Sequence, residues 1–117
     1  MQTRILPIQT RQGQVYLPVK FALTFTQRLK GFMFTKPTPD YGILFPNTRQ
    51  IHMFFMRFPL DVYYLDQAGK IIYADSMEPW KIGPNIREAH YVLEFPQGLY
   101  PLQAGDHVIL HAPKTAY

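Results

Sequence analysis

The sequence predicts a mainly β domain with a minor α contribution: a compact, barrel-like sheet of antiparallel or mixed strands carrying one or two short helices. Three observations predict it. Around eight short runs rich in aromatic and β-branched residues recur along the chain, as pleated strands require. Most are separated by short segments containing Gly, Pro or Asp, with no βαβ rhythm and a single stretch of helical periodicity. The length of 117 residues, 47% hydrophobic and 17% charged, suits a globular chain able to bury a core and does not suit a disordered one. Residues 1–117 are therefore expected to form one domain without repeats.

The elements follow in order. Residues 3–9 and 14–19 are apolar-rich runs separated by TRQG, which reads as a hairpin with Gly13 supplying a positive φ. Pro7 and Pro18 have no amide proton to give to a ladder, so this hairpin is expected at a sheet edge. Over residues 22–34 the period changes. Phe25, Leu29 and Phe32 recur at helical spacing behind Thr24 and Thr26, either of which can cap a first turn. A helix is expected near residues 24–34, with Gly31 close to its end.

Pro37 and Pro39 make residues 35–40 an extended loop. Strands are then expected over residues 42–46 (GILFP), 50–56 and 60–65, with Pro59 separating the last two. The turn DQAG at 66–69 joins 60–65 to KIIYA at 70–74 in the clearest hairpin of the chain. Residues 75–86 hold two prolines and the only tryptophan, and read as a long loop that Trp80 pins to the core. The last strands are expected over 89–95 and 107–111, after turns at 96–98 and 105–106.

Composition narrows the function classes. The chain contains no cysteine, which excludes disulfides, thiolate metal sites and a cysteine nucleophile. MQTRILPIQT is not the apolar run of a signal peptide, and no stretch approaches the roughly 20 apolar residues of a membrane span. A soluble, cytoplasmic protein is expected, or an exported one if an N-terminal signal was removed. The net charge is +4, but its 12 Lys and Arg are scattered singly, without the dense patch that marks a nucleic-acid binder.

Residues 51–66, IHMFFMRFPLDVYYLD, place His52, Arg57, Asp61 and Asp66 inside a strongly apolar run. Buried charge is costly unless it is paired, so these residues carry two readings. In the structural one, Arg57 bridges Asp61 or Glu94 through charge-assisted hydrogen bonds and holds the corner at Pro59. In the functional one, His52, Arg57 and Asp61, with Trp80 and Arg28, line a small polar pocket. Arg57 then holds the carboxylate or phosphate of a small anionic or polar ligand, and Trp80 covers it. If such a site performed chemistry as a hydrolase or lyase, His52 would shuttle the proton and Asp61 would orient it.

Other chemistries find less support. His107 and His111 are four apart, about 13 Å along a strand, too far to share an ion. The same distance separates His52 from Met56, and Met53 among phenylalanines reads as core filler. No metal or cofactor is expected. Ser76 is the only serine and lies in no G-x-S-x-G turn, and no phosphate-cradling glycine loop is present. Tyr16, Tyr63, Tyr64, Tyr73 and Tyr91 offer an alternative nucleic-acid surface on the sheet. Alternation puts Tyr63 and Tyr64 on opposite faces, so at most one should reach solvent. A ligand-binding accessory module, or one that docks a larger protein, is the leading expectation.

One further pattern is recognisable. IHMFFMRFPLDVYYLDQAGKI, followed by PW at 79–80, YVLEFPQG at 91–98 and AGD at 104–106, closely resembles the domain of unknown function 192 family. RLKGFMF and GILFP resemble that family's opening helix and following strand, so the likeness runs from about Arg28 to Leu110. FPQG stands where the family pattern looks more like LPAG, an exchange confined to a turn. The resemblance implies a small, barrel-like, mainly β domain with a short helix, in a family many of whose members carry an export signal. It implies no activity.

Overall fold

The computed structural model describes residues 1–36 and 39–110. Its first turn is closed by side-chain chemistry: the Thr10 hydroxyl donates to the Gly13 carbonyl at 2.7 Å and accepts from the Gln12 amide at 3.2 Å. Gly13 takes φ 119°, a region open to glycine. This turn sets the register of β1 (Thr3–Thr10) against β2 (Gly13–Phe21). β2 then runs parallel to β3 (Gly42–Pro46) over a three-residue ladder.

Hydrogen bonding continues from β3 to β6 (Tyr91–Pro96), β4 (Leu60–Leu65) and β5 (Ile71–Met77), all antiparallel. β7 (His107–Val108) pairs with β1. The result is one seven-stranded mixed sheet in the order β5-β4-β6-β3-β2-β1-β7.

The sheet twists and curls until its two ends touch. Lys70, just before β5, forms a bridge to His107 in β7. The Ile71 amide donates to the Asp106 carbonyl and the Val108 amide to the Gly69 carbonyl, each at 2.8 Å. The ladder is not continuous around the circumference, so the architecture is barrel-like without being a closed barrel. Gly69 is required at this seam: its φ is 94°, and an added Cβ would collide with the Val108 carbonyl oxygen.

Curling makes the central strands β3, β6 and β4 bury both faces. One face carries Leu44, Tyr63, Leu65, Leu93 and Phe95, packed against Leu6, Ile8, Leu17, Val19 and Val108 of the hairpin and β7. The other carries Ile43, Phe45, Leu60, Val62, Tyr64 and Val92. It is covered by side chains from connecting segments, including Phe32, Ile51, Met53, Met56 and Phe58. Strands covered on both sides read as near-continuous apolar runs, which is the pattern of GILFP and VYYL.

Several expectations need correction. Seven strands form among the described residues, not eight. Residues 50–56 are not a strand. They begin with strand-like alternation, Ile51 in, His52 out, Met53 in, but they hydrogen-bond to the 80–83 loop instead of the sheet and turn sharply at Phe55, φ 61°. The helix, α1, is shorter than expected, Phe25–Lys30. Thr24 caps it in a reciprocal box with Gln27, and Gly31, φ 45°, ends it where a Cβ would press on the Phe45 ring at 2.9 Å. Phe25 and Leu29 of its apolar stripe face solvent, and only Phe32, past its end, is buried.

The hairpin stands one strand in from the edge, because β7 covers part of β1. The last strand is limited to His107–Val108, and His111 lies outside the described residues. Trp80 does not anchor its loop in the core; it is 58% exposed. Tyr63 and Tyr64 are both buried, since neither face of β4 is open.

Candidate functional site

The polar residues singled out in the sequence are divided between two places. Arg28 and His52 meet at a cleft of about 90 Å³ between the end of α1, the 48–52 segment and the outer face of β3 and β6. Glu94 lines the same cleft. Asp61 lies in a different one, with Tyr63, Asp75 and Ser76. Its carboxylate accepts the Ser76 hydroxyl at 2.8 Å and the Gly98 amide at 2.9 Å, which ties the β6-end turn to β4.

Register explains the division. Glu94 is directly opposite Ile43 on one neighbour and Val62 on the other, and Asp61 is opposite Phe95. Cross-strand partners share a face, so Glu94 and Asp61 point to opposite faces of the sheet. One arginine cannot bridge both. Arg57 and Trp80 are exposed and are not among the residues lining the cleft.

Glu94 is the unusual group. It is 5% exposed, in the central strand of the sheet, and its side chain lines the cleft; among the described residues no fully buried polar side-chain atom is left without a hydrogen-bond partner. Burial alone pushes its pKa up to about 8, because removing a carboxylate from water disfavours the charged form. At neutral pH the group is therefore mostly the neutral acid, able to donate as well as accept. Its Oε1 lies 4.0 Å from the position a Cβ on Gly31 would take, so the glycine that ends α1 borders the cleft floor.

The rim has the opposite character. Arg28 and Lys30 come from the last turn of α1, where cations interact favourably with the helix C-terminus. Thr48, Gln50 and His52 border the other side. Gln50 is fixed by donating from Nε2 to the Gly83 carbonyl at 2.8 Å. The His52 Nδ1 accepts the Phe54 amide at 3.2 Å, and the ring stacks on Phe54 with centroids 4.9 Å apart. In neutral His52 this leaves the proton on Nε2.

Lys30, Thr48 and Gln50 were not singled out in the sequence, and Glu94 was read only as a partner for Arg57. A signal for Glu94 was present: YVLEFP sets one carboxylate in a run that is apolar on both alternations. Among the described residues, no three His, Cys, Asp or Glu side chains gather as metal ligands. Tyr63 and Tyr64 titrate above the usual phenol range because of burial. Their hydroxyls serve the fold: Tyr64 donates to the Pro84 carbonyl at 3.1 Å, and Tyr63 accepts the Leu102 amide at 3.0 Å. No helix among the described residues is long and apolar enough to cross a membrane.

Known proteins share this arrangement of elements. The chain is 34% identical over 99 residues to a UPF0127 protein of Thermococcus sibiricus, spanning 79% of this chain and 64% of that one. It is 35% identical over 85 residues to a UPF0127 protein of Pyrococcus horikoshii, spanning 69% and 74%. A crystal structure of a protein of unknown function from Novosphingobium aromaticivorans superposes with a TM-score of 0.81 at 22% identity, covering 92% of this chain and 85% of that one. A second, from Sinorhizobium meliloti and described as "a putative transcription regulator", gives 0.78 at 26% identity, covering 92% of each. The model of an uncharacterized ACR family, domain of unknown function 192, matches residues 7–110, so the likeness extends through the N-terminal hairpin and the chain belongs to that family.

Proposed function

We propose that this chain is a binding module whose site is the cleft over Glu94, and that its ligand is a small anionic or polar molecule. The observation that carries the reading is a carboxyl group on a 5% exposed residue of the central sheet, lining a cleft rimmed by Arg28 and Lys30. A ligand that accepts from the neutral acid gains a hydrogen bond in a poorly solvated site, where such bonds are stronger than in water. The cations at the rim favour a negative charge, and the neutral acid at the floor donates to it. A carboxylate meets both demands. The volume holds about three water molecules, so the ligand is a short acid or the acid end of a longer one.

The rim and floor supply hydrogen bonds and a field, but the pairing of His52 with Asp61 that a hydrolase or lyase would use is absent, because the two residues line different clefts. The role assigned in the sequence to Arg57 passes to Arg28, the arginine that lines this cleft beside Lys30. Amide NMR titration with formate, acetate, glycolate and lactate at pH 6 tests the proposal. Saturable shifts are expected at Gly31, Thr48 and Gln50, weakened in Arg28→Gln and lost at pH 9, where ionised Glu94 repels the anion. No saturable shift from any of these acids, in protein that retains its native spectrum, would overturn it.

A further inference from the structure

Three left-handed turns hold an aromatic cluster at the surface beside this cleft. Phe34, Phe55 and Trp80 have φ of 62°, 61° and 70°, which bulky residues rarely adopt and which costs energy at each site. The turns are locked together by backbone hydrogen bonds: the Phe34 amide donates to the Phe55 carbonyl at 3.1 Å, and the Trp80 amide to the Met53 carbonyl at 2.7 Å. Centroids of Phe34 and Phe55 are 5.2 Å apart, and those of Phe55 and Trp80 4.9 Å. All three rings nevertheless remain largely exposed, as do Phe25 (73%) and Leu29 of the adjoining helix. Strained backbone that holds large apolar groups in water is a reason to look for a partner that covers them.

Charge identifies what covers this surface. The segments 23–36, 52–57 and 78–82 that build it contain Arg28, Lys30, Lys36, Arg57 and Lys81 against one carboxylate, Glu78. That excess equals the formal net charge of +4, since the other seven Lys and Arg are matched in number by seven Asp and Glu. Exposed Trp and Phe ringed by Lys and Arg match the interface of an anionic bilayer, where rings enter the headgroup layer and cations meet lipid phosphates. Stacking of nucleic-acid bases is less well served, because the three rings tilt onto one another, at 32° and 59°, and do not present parallel platforms.

We infer that this face docks on the surface of an anionic lipid membrane, with Phe34, Phe55 and Trp80 inserted among the headgroups and Arg28, Lys30 and Lys81 on the phosphates. The aromatic cluster and Lys81 lie outside the cleft lining, so the inference stands whether or not the cleft binds an acid, although Arg28 and Lys30 belong to both surfaces.

Trp80 is the only tryptophan, so intrinsic fluorescence reads this face alone. With phosphatidylcholine–phosphatidylglycerol vesicles at 50 mM salt, the account expects a blue shift of emission, quenching by brominated acyl chains, and little effect of pure phosphatidylcholine. Partitioning should fall about fivefold for each charge removed in Lys30→Gln and Lys81→Gln, and fall again in Phe25→Ser, each variant checked for native circular dichroism. An unshifted emission with anionic vesicles would overturn the inference. So would sedimentation with vesicles without quenching, or a larger Trp80 response to oligothymidylate or polyglutamate than to lipid, which would assign the face to a soluble polyanion.

Discussion

The two faces of β3, β6 and β4 are built from the same strands and differ in what they enclose. The inner face, with Leu44, Tyr63, Leu93 and Phe95, is sealed by other strands of the sheet. The outer face, with Ile43, Phe45 and Val92, is sealed by side chains sent from loops and the turn after α1. Strand-on-strand burial leaves regular, apolar packing. Loop cover leaves a gap, and in the gap stand Glu94 and the cleft. Acids near the inner face are tied into the fold, Asp61 by Ser76 and Gly98 and Asp106 by the Gln103 amide. Glu94 on the outer face instead lines a cleft, which makes the outer face the place where a ligand can be met.

Substitutions sharpen this contrast. The largest effect is expected at Phe95, fully buried on the inner face and in contact with the position a Gly42 Cβ would occupy: Phe95→Ala should lower unfolding free energy by about 3–5 kcal/mol in chemical denaturation. A smaller loss is expected on the outer side, where Thr24→Ala removes the cap of a helix with no buried residue. It should cost about 1 kcal/mol, with the largest amide shifts near Arg28 and Gly31. The least is expected at Phe55, where Asn tolerates the left-handed backbone. Phe55→Asn should change stability by less than about 0.5 kcal/mol while abolishing the Phe34 and Trp80 ring contacts. Equal losses at Phe95 and Phe55 would break the contrast.

The inner face was largely legible in the sequence. Aromatic and branched composition with turn chemistry placed GILFP, LDVYYL, KIIYA and AHYVLEF, although β5 runs on to Met77, into the segment expected as a loop, and β6 spans Tyr91–Pro96. The outer face was not. Residues 50–56 have strand composition, but their hydrogen bonds go to residues 80–83, a pairing between loops that no local pattern encodes. Trp80 reads as an anchor by size alone, yet its backbone φ of 70° turns it to the surface. Arg28 and His52 line one cleft, whereas Arg57 and Asp61 were grouped with them by sequence proximity. Only the register, with Asp61 opposite Phe95 and Glu94 opposite Val62, separates the two carboxylates.

The central claim is that Glu94 is held as a neutral acid at the floor of a cleft. A carboxyl whose pKa rises on folding binds its proton more tightly in the native state, so its stabilising contribution is complete below the unfolded value of 4.5 and declines up to about 8. Across that window the native state should lose up to ~1.4 kcal/mol per pH unit relative to Glu94→Gln, with the difference levelling off above it. The most direct measurement is the side-chain carbonyl ¹³C shift of Glu94 followed against pH. A midpoint near 8 is the predicted result; a midpoint near the ordinary 4.5 would mean that the carboxylate is solvated or paired, and would contradict the account.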